Sequence, residues 1–350
     1  MDYNGVGMRK SPLYIVFCLA VVLAVLAGAA APPRPDSSAP DPALERFLKK
    51  KRVTIAVTDS GLGGLSVLAE AAARMKKAGT FEAVDFIFYN ALFSAEGGYN
   101  SLGTRGEKIA IFQSALGSLE KRYRPDLILI ACNTLSVLHE DALFRQRTKI
   151  PVVGIVAAGV ELVAERLRAE PDASVIIFGT PTTISEGAHV RKLEEAGIVP
   201  DRLFSQSCPE LESYIEADSA GADTELLLTA FVEEALDKLP SPRPPVFASL
   251  NCTHYGYSLP LWEAAFAGAG VKPAGLLNPN SRMIDFLFAP GRAGRFPEAR
   301  VSVRVVSMVE IGPGKIESIG GWLAATSPET AAALRAYEHV PDLFRWQSAN

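Results

Sequence analysis

Two short stretches of this chain set a thiol among polar groups at the end of an apolar run. In "ACNTLSVL", residues 131–138, Cys132 follows the run "LILI", and in "LNCTHYGY", residues 250–257, Cys252 follows another apolar run. The 350 residues contain four cysteines, and Cys18 lies in an N-terminal apolar segment, leaving Cys132, Cys208 and Cys252. A buried cysteine ordinarily packs as a small hydrophobe. Here Asn133, Thr134, Thr253 and His254 stand beside the thiols where a core would use Val or Ala. Each of the two thiols is expected to open a helix, and a helix N-terminus favours the thiolate. His254, two residues after Cys252, is placed to exchange a proton with it. Without C-x-x-C or a second Cys or His at ligand spacing, a metal site does not fit. Two thiols facing one carbon from opposite sides suit proton transfer instead, in which one takes an α-proton and the other returns one to the opposite face.

The stretch "DSGLGG", residues 59–64, is the second candidate. A dinucleotide fingerprint requires G-x-G-x-x-G, and the third glycine position is Ser66. What is left is a tight turn of backbone N–H groups at a helix start, suited to a carboxylate or phosphate. Asp59 would point a carboxyl group into the same cleft.

These residues need scaffolding, and the pattern around them predicts it. From Val53 onward, short apolar runs alternate with helical periods, as expected of βα units on a mainly parallel sheet. "VTIAV", "VDFIFY", "DLILIA", "PVVGIV", "SVIIFG" and "PVFASLN" read as buried strands, each ending in a polar, Gly-rich or Cys-containing stretch. That sheet edge is where open α/β folds bind ligands. The spacing from the Asp59 strand to the Cys132 strand resembles that from the Thr180 strand to the Cys252 strand, as two similar α/β halves would give.

The net charge of −4 leaves no basic footprint for nucleic acid. Arg9 and Lys10, the apolar run from Leu13 to Ala31 and the small residues Ala27, Ala29 and Ala31 read as a signal peptide over residues 1–31, or as an N-terminal membrane anchor. Export to the periplasm or an outward-facing inner-membrane anchor is expected. The basic residues at 49–52 keep a cytoplasm-facing anchor as the alternative. Residues 32–52 read as a Pro-rich, basic linker.

"VTDSGLGGLSVL", "ILIACNTLSVL", "PVVGIV", "GTPTTISEGA", "CPELESYIE" and "LNCTHYGYSLP" occur in this order. Together they resemble the glutamate racemases of the cofactor-independent aspartate/glutamate racemase superfamily, over roughly Val53 to Asp285. The resemblance implies two similar doubly wound α/β domains related by a pseudo-two-fold, with the active site between them. The first would hold 53–156 plus 275–350, and the second 157–274. It implies an isomerase needing no cofactor and no metal, acting on an amino acid, glutamate foremost or aspartate, for D-amino acids of cell-wall precursors. Cys132 and Cys252 match the acid/base thiols. Asp59 matches the acid beside the first thiol, and His254 and Glu216 match the groups supporting the second. Ser60, Asn133, Thr134, Thr183 and Thr253 match substrate-holding positions, and Tyr99 is the counterpart of a loop tyrosine. Cys208 matches a motif position without a thiol role, so a packing residue is expected there. A homodimer and membrane contact through the N-terminal segment are left open.

The loop after the second strand departs from the family's "D-T-A-R-x-P-Y-G", reading "NALFSAEGGYNS" with Asn90 at the aspartate position. That keeps two other readings open. One is a superfamily relative isomerising or decarboxylating another small acid, and the other is an envelope protein that only binds one. In an oxidising compartment two thiols in one cleft could also pair as a disulfide.

Overall fold

The computed structural model describes residues 1, 41–140 and 142–346, and the segment expected to direct export or anchoring lies outside them. The described residues from Asp41 onward form one compact unit. Among the described residues no helix is long and apolar enough to cross a membrane.

The strands are β1 (Arg52–Asp59), β2 (Ala83–Asn90), β3 (Leu127–Ile130) and β4 (Val152–Gly154), then β5 (Ser174–Gly179), β6 (Leu203–Ser207), β7 (Val246–Asn251) and β8 (Gly275–Leu277), and last β9 (Arg300–Ser307) and β10 (Glu338–His339). They form two sheets, ordered β10-β9-β2-β1-β3-β4 and β6-β5-β7-β8. Every pairing is parallel. The orders β4-β3-β1-β2 and β8-β7-β5-β6 are the same winding used twice. Cys132 after β3 and Cys252 after β7 therefore hold equivalent places, as the internal spacing suggested. The fold is α/β with two doubly wound lobes.

Helices cover both faces of the sheets, so the central strands are apolar at most positions. All four residues of β3 and all six of β5 are buried. Burial of such side chains contributes roughly 1.5–3 kcal/mol each relative to exposure. β9, paired to β2 through Ala83↔Arg300 to Asn90↔Ser307, instead alternates exposed and half-buried positions at its start. One continuous core runs from Val57 and Leu68 of the first lobe to Phe178 and Leu250 of the second.

Two expected boundaries move. Residues 41–52 are not linker: Pro42–Leu48 is a helix capped by Asp41, whose carboxylate accepts from Ala43 N at 2.7 Å, and β1 already begins at Arg52. Phe47 is 2% exposed and packs on Phe81 with ring centroids 5.3 Å apart. One short helix carrying an aromatic suffices to close the bottom of the core, and the prolines hid it. The second shift is at β8, which pairs with β7 through Phe247↔Gly275, so the chain returns to the first lobe after Leu277 rather than at 275. A three-residue strand is too short to declare itself by alternation.

Candidate active site

The strand ends of the two lobes face one another across a cavity of about 480 Å³. Asp59, Ser60, Tyr99, Cys132, Asn133, Thr134, Glu216, Cys252, Thr253 and His254 all line it. Parallel pairing explains the first group. Thr58 is in register with Ile130, and Ala131 N donates to Thr58 O at 3.0 Å, so Asp59 and Cys132 leave the sheet side by side.

Cys132 occupies the N-cap position of the helix Asn133–His139 without capping it through its side chain, and its Sγ lies 3.1 Å from Ser60 Oγ. Burial pushes the Cys132 thiol up to about 12, Asp59 adding to the rise and the Ser60 hydroxyl opposing it. Cys252 precedes a 3₁₀ turn, Thr253–Ser258, and is also raised, by burial first and then by Glu212. This corrects the expectation that helix starts would bring both thiols down. A seven-residue helix and a 3₁₀ turn do not offset taking a thiolate out of water and setting it beside carboxylates.

Asp59 is 1% exposed, and burial raises its pKa against the opposing influence of His254, Thr253 and Cys132. Its Oδ2 accepts from Thr253 Oγ1 at 2.8 Å, while Oδ1 is buried without a hydrogen-bond partner among the described residues. On the other side His254 Nδ1 lies 3.5 Å from Cys252 Sγ, and Nε2 lies 2.8 Å from Glu216 Oε1. Burial would lower the His254 pKa, but the Glu216 hydrogen bond and charge, with Asp59 and Glu212, raise it. Burial would likewise raise Glu216, but His254 and Lys315 hold it down at about 2. The result is a hydrogen-bonded His254–Glu216 pair behind the Cys252 thiol.

The "DSGLGG" turn does bind a carboxylate, and the carboxylate is the protein's own. Leu62 N donates to Glu216 Oε1 at 2.6 Å. A Cβ on Gly61 would stand 2.6 Å from that oxygen, and one on Gly63 would stand 2.6 Å from His254 Nδ1. The glycines serve the approach of the opposite lobe.

Two residues, Thr183 and Tyr99, line up differently from their expected parts. Thr183 does not line the cavity; its hydroxyl lies 3.4 Å behind that of Thr134 and 3.0 Å from that of Thr180, which does. Tyr99 is 2% exposed, donates its hydroxyl to Ala91 O at 3.2 Å, and stacks edge-on with Phe93 and Phe112. It packs the loop. Asn133 has both amide atoms buried at the cavity wall without a partner among the described residues. Cys208, in contrast, is fully buried in the core, as the packing residue it was expected to be.

Residues 63–240 match the family model described as Asp/Glu/Hydantoin racemase. A glutamate racemase of Paracoccus denitrificans is 32% identical over 265 residues, covering 70% of this chain and 87% of that protein. The chain belongs to the Asp/Glu/hydantoin racemase family. It is thus an isomerase. A glutamate racemase of Aquifex pyrophilus is 29% identical over 202 residues, spanning 57% of this chain and 70% of that one. In fold, the chain is similar to a glutamate racemase isoform of Bacillus anthracis, with a TM-score of 0.59 at 19% identity, covering 79% and 96% of the two chains. It is also similar to the Francisella tularensis glutamate racemase in complex with D-glutamate, with a TM-score of 0.58 at 22% identity, covering 79% and 95%.

The loop after β2 is held from both of its ends. Asn90 Oδ1 accepts from Leu92 N at 3.0 Å and Nδ2 donates to Ser307 Oγ at 3.1 Å, so Asn90 ties the loop to β9. Leu92 and residues 94–98 then form one wall of the cavity. Asn100, close along the chain, donates from Nδ2 to Glu212 Oε1 at 3.0 Å across the cleft, and Glu212 Oε2 is buried without a partner among the described residues. Burial raises the Glu212 pKa. Sequence reasoning passed over Glu212, Thr180 and Lys315. Glu212 sat in view, one helical turn before Glu216 in "CPELESYIE". Lys315 carries no local signal, because its partner is 99 residues away.

Proposed function

We propose that this chain interconverts the enantiomers of an amino acid, glutamate first and aspartate next, by passing the α-proton between Cys132 and Cys252 without a cofactor. The single observation that carries the reading is the equivalence of the two thiols: each follows the third strand of its lobe, and both line one cavity. The relatives named as glutamate racemases supply the substrate class.

In the resting site burial keeps both thiols protonated, so each needs a base within reach. Asp59, with its own pKa raised, serves Cys132, and His254 serves Cys252. One thiolate takes the α-proton, and the electron pair left on carbon spreads into the substrate carboxylate. The opposite thiol then returns a proton to the other face, and the two sulfurs have exchanged roles. The unpartnered Asn133 amide and the hydroxyls of Ser60, Thr134 and Thr253 are the groups available for the substrate's charged ends. Placement in the periplasm or at the inner membrane belongs to the same reading, and the mass of the mature N-terminus tests it.

Incubation with L-glutamate or L-aspartate in D₂O under reducing conditions should exchange the α-proton and erode optical rotation. Cys132→Ser or Cys252→Ser should slow turnover by at least ~10²-fold, the usual worth of a placed acid or base. Absence of exchange with every common amino acid sinks the reading.

A further inference from the structure

Glu216 is 5% exposed and carries three partners, not one. Its Oε1 accepts from Leu62 N at 2.6 Å and lies 2.8 Å from His254 Nε2; its Oε2 accepts from Lys315 Nζ at 2.7 Å. Lys315 comes from the C-terminal segment that returns to the first lobe, in the first turn of the helix Pro313–Thr326. Glu216 belongs to the helix Leu211–Ala217 of the second lobe. The approach of these two helices is itself pinned. Ser318, one turn beyond Lys315, donates from Oγ to Ile215 O at 3.0 Å and accepts from Ser219 N at 3.0 Å. Ser258, at the end of the turn that starts with Thr253, donates to Ser219 O at 2.6 Å. The ammonium therefore arrives at Glu216 on a fixed mount.

We infer that Lys315 is a positioning residue for the Cys252 half of the reaction: by taking Oε2 of Glu216 it keeps Oε1 on His254 Nε2 and Nδ1 turned to the Cys252 sulfur. This inference rests on the two-thiol reading. A carboxylate with two oxygens can otherwise rotate, or give Oε1 wholly to Leu62 N–H, and the imidazole would lose the partner that orients it. Hydrogen-bond partners one step removed from a reacting group typically matter by 10–100-fold, because they fix the ring's tautomer and direction. The charged and titratable groups around His254 and Glu216 are Asp59, Glu212, Cys252, Tyr257 and Lys315. Of these, Lys315 alone is a cation, and its side chain is 42% exposed. Replacing it leaves the core untouched.

The test is the α-deuterium isotope effect on kcat/KM, measured in both directions for the full chain and for Lys315→Met. Racemisation has an equilibrium constant of one, so kcat/KM falls equally in both directions, here by about 10–100-fold. The isotope effect separates the halves. In the direction in which Cys252 abstracts deuterium it should grow, since that transfer becomes limiting. In the direction in which Cys132 abstracts it should shrink toward unity. Lys315→Gln, which keeps a donor without the charge, should show the same pattern more weakly, and Lys315→Arg should restore most of the rate. Unchanged rates in Lys315→Met overturn the inference. So does a slower enzyme whose two isotope effects stay as they were, or a variant in which only the KM for glutamate rises, which would make Lys315 a substrate anchor. If the unaltered chain exchanges no α-proton, or Cys252→Ser keeps full turnover, the two-thiol reading fails and takes this inference with it.

Discussion

Thr253 Oγ1 donates to Asp59 Oδ2 across 2.8 Å, joining residues 194 apart in the chain. The residue next to the Cys252 thiol thus holds the acid next to the Cys132 thiol. Each half of the site is built partly from the other, which makes the two thiols interdependent.

Thr253→Val keeps the shape and removes the donor. Asp59 loses one of the interactions holding its pKa down, so it rises further. The acid limb of the kcat/KM profile should move to higher pH, and turnover at neutral pH should fall. Chemical denaturation should show a cost of about 1–3 kcal/mol from a buried carboxylate left short of a partner.

Gly63→Ala tests the close approach of the lobes. The added methyl would meet Thr253 Oγ1 and stand 2.6 Å from His254 Nδ1 and 2.8 Å from the backbone N of His254. Overpacking of this kind costs roughly 1–3 kcal/mol. The loss in kcat should exceed that seen for alanine at Gly314, where an added Cβ meets nothing within 4 Å.

The Glu216–His254 pair should leave a mark on stability against pH. Glu216, lowered from 4.5 to about 2, contributes stability that is present above 4.5 and lost as pH falls toward 2. His254, raised from 6.5, contributes stability that is present below 6.5 and lost as pH climbs through its folded value. The melting-temperature gap between the unaltered chain and Glu216→Gln should be widest between 4.5 and 6.5 and narrow on both sides.

The folded unit begins before Val53. Phe47→Ala should cost about 3–5 kcal/mol, as expected for emptying a buried aromatic site. A chain starting at Val53 should melt well below one starting at Asp41, and equal melting temperatures would show that the Phe47–Phe81 contact contributes nothing.

The apolar runs of β1, β2, β3, β5 and β7 could be read directly, because a strand buried on both faces must be apolar at nearly every position. The polar residue that ends such a run is conspicuous for the same reason, and that exposed Asp59, Cys132 and Cys252 to view. β6, β8 and β10 escaped, being edge or very short strands whose residues carry no such pattern. The thiols' direction of titration also escaped, since a helix start is visible in a sequence and desolvation is not.

What the amino-acid sequence determined by itself was the alternation of buried strands and helices in each lobe and the reactive groups at the strand ends, both consequences of local hydrophobic pattern. Tertiary structure alone decided what stands behind those groups: Thr253 on Asp59, Leu62 N–H and Lys315 on Glu216, Asn100 on Glu212. Those contacts join segments 99 to 194 residues apart, and only the packing of one lobe on the other brings such groups within hydrogen-bond reach.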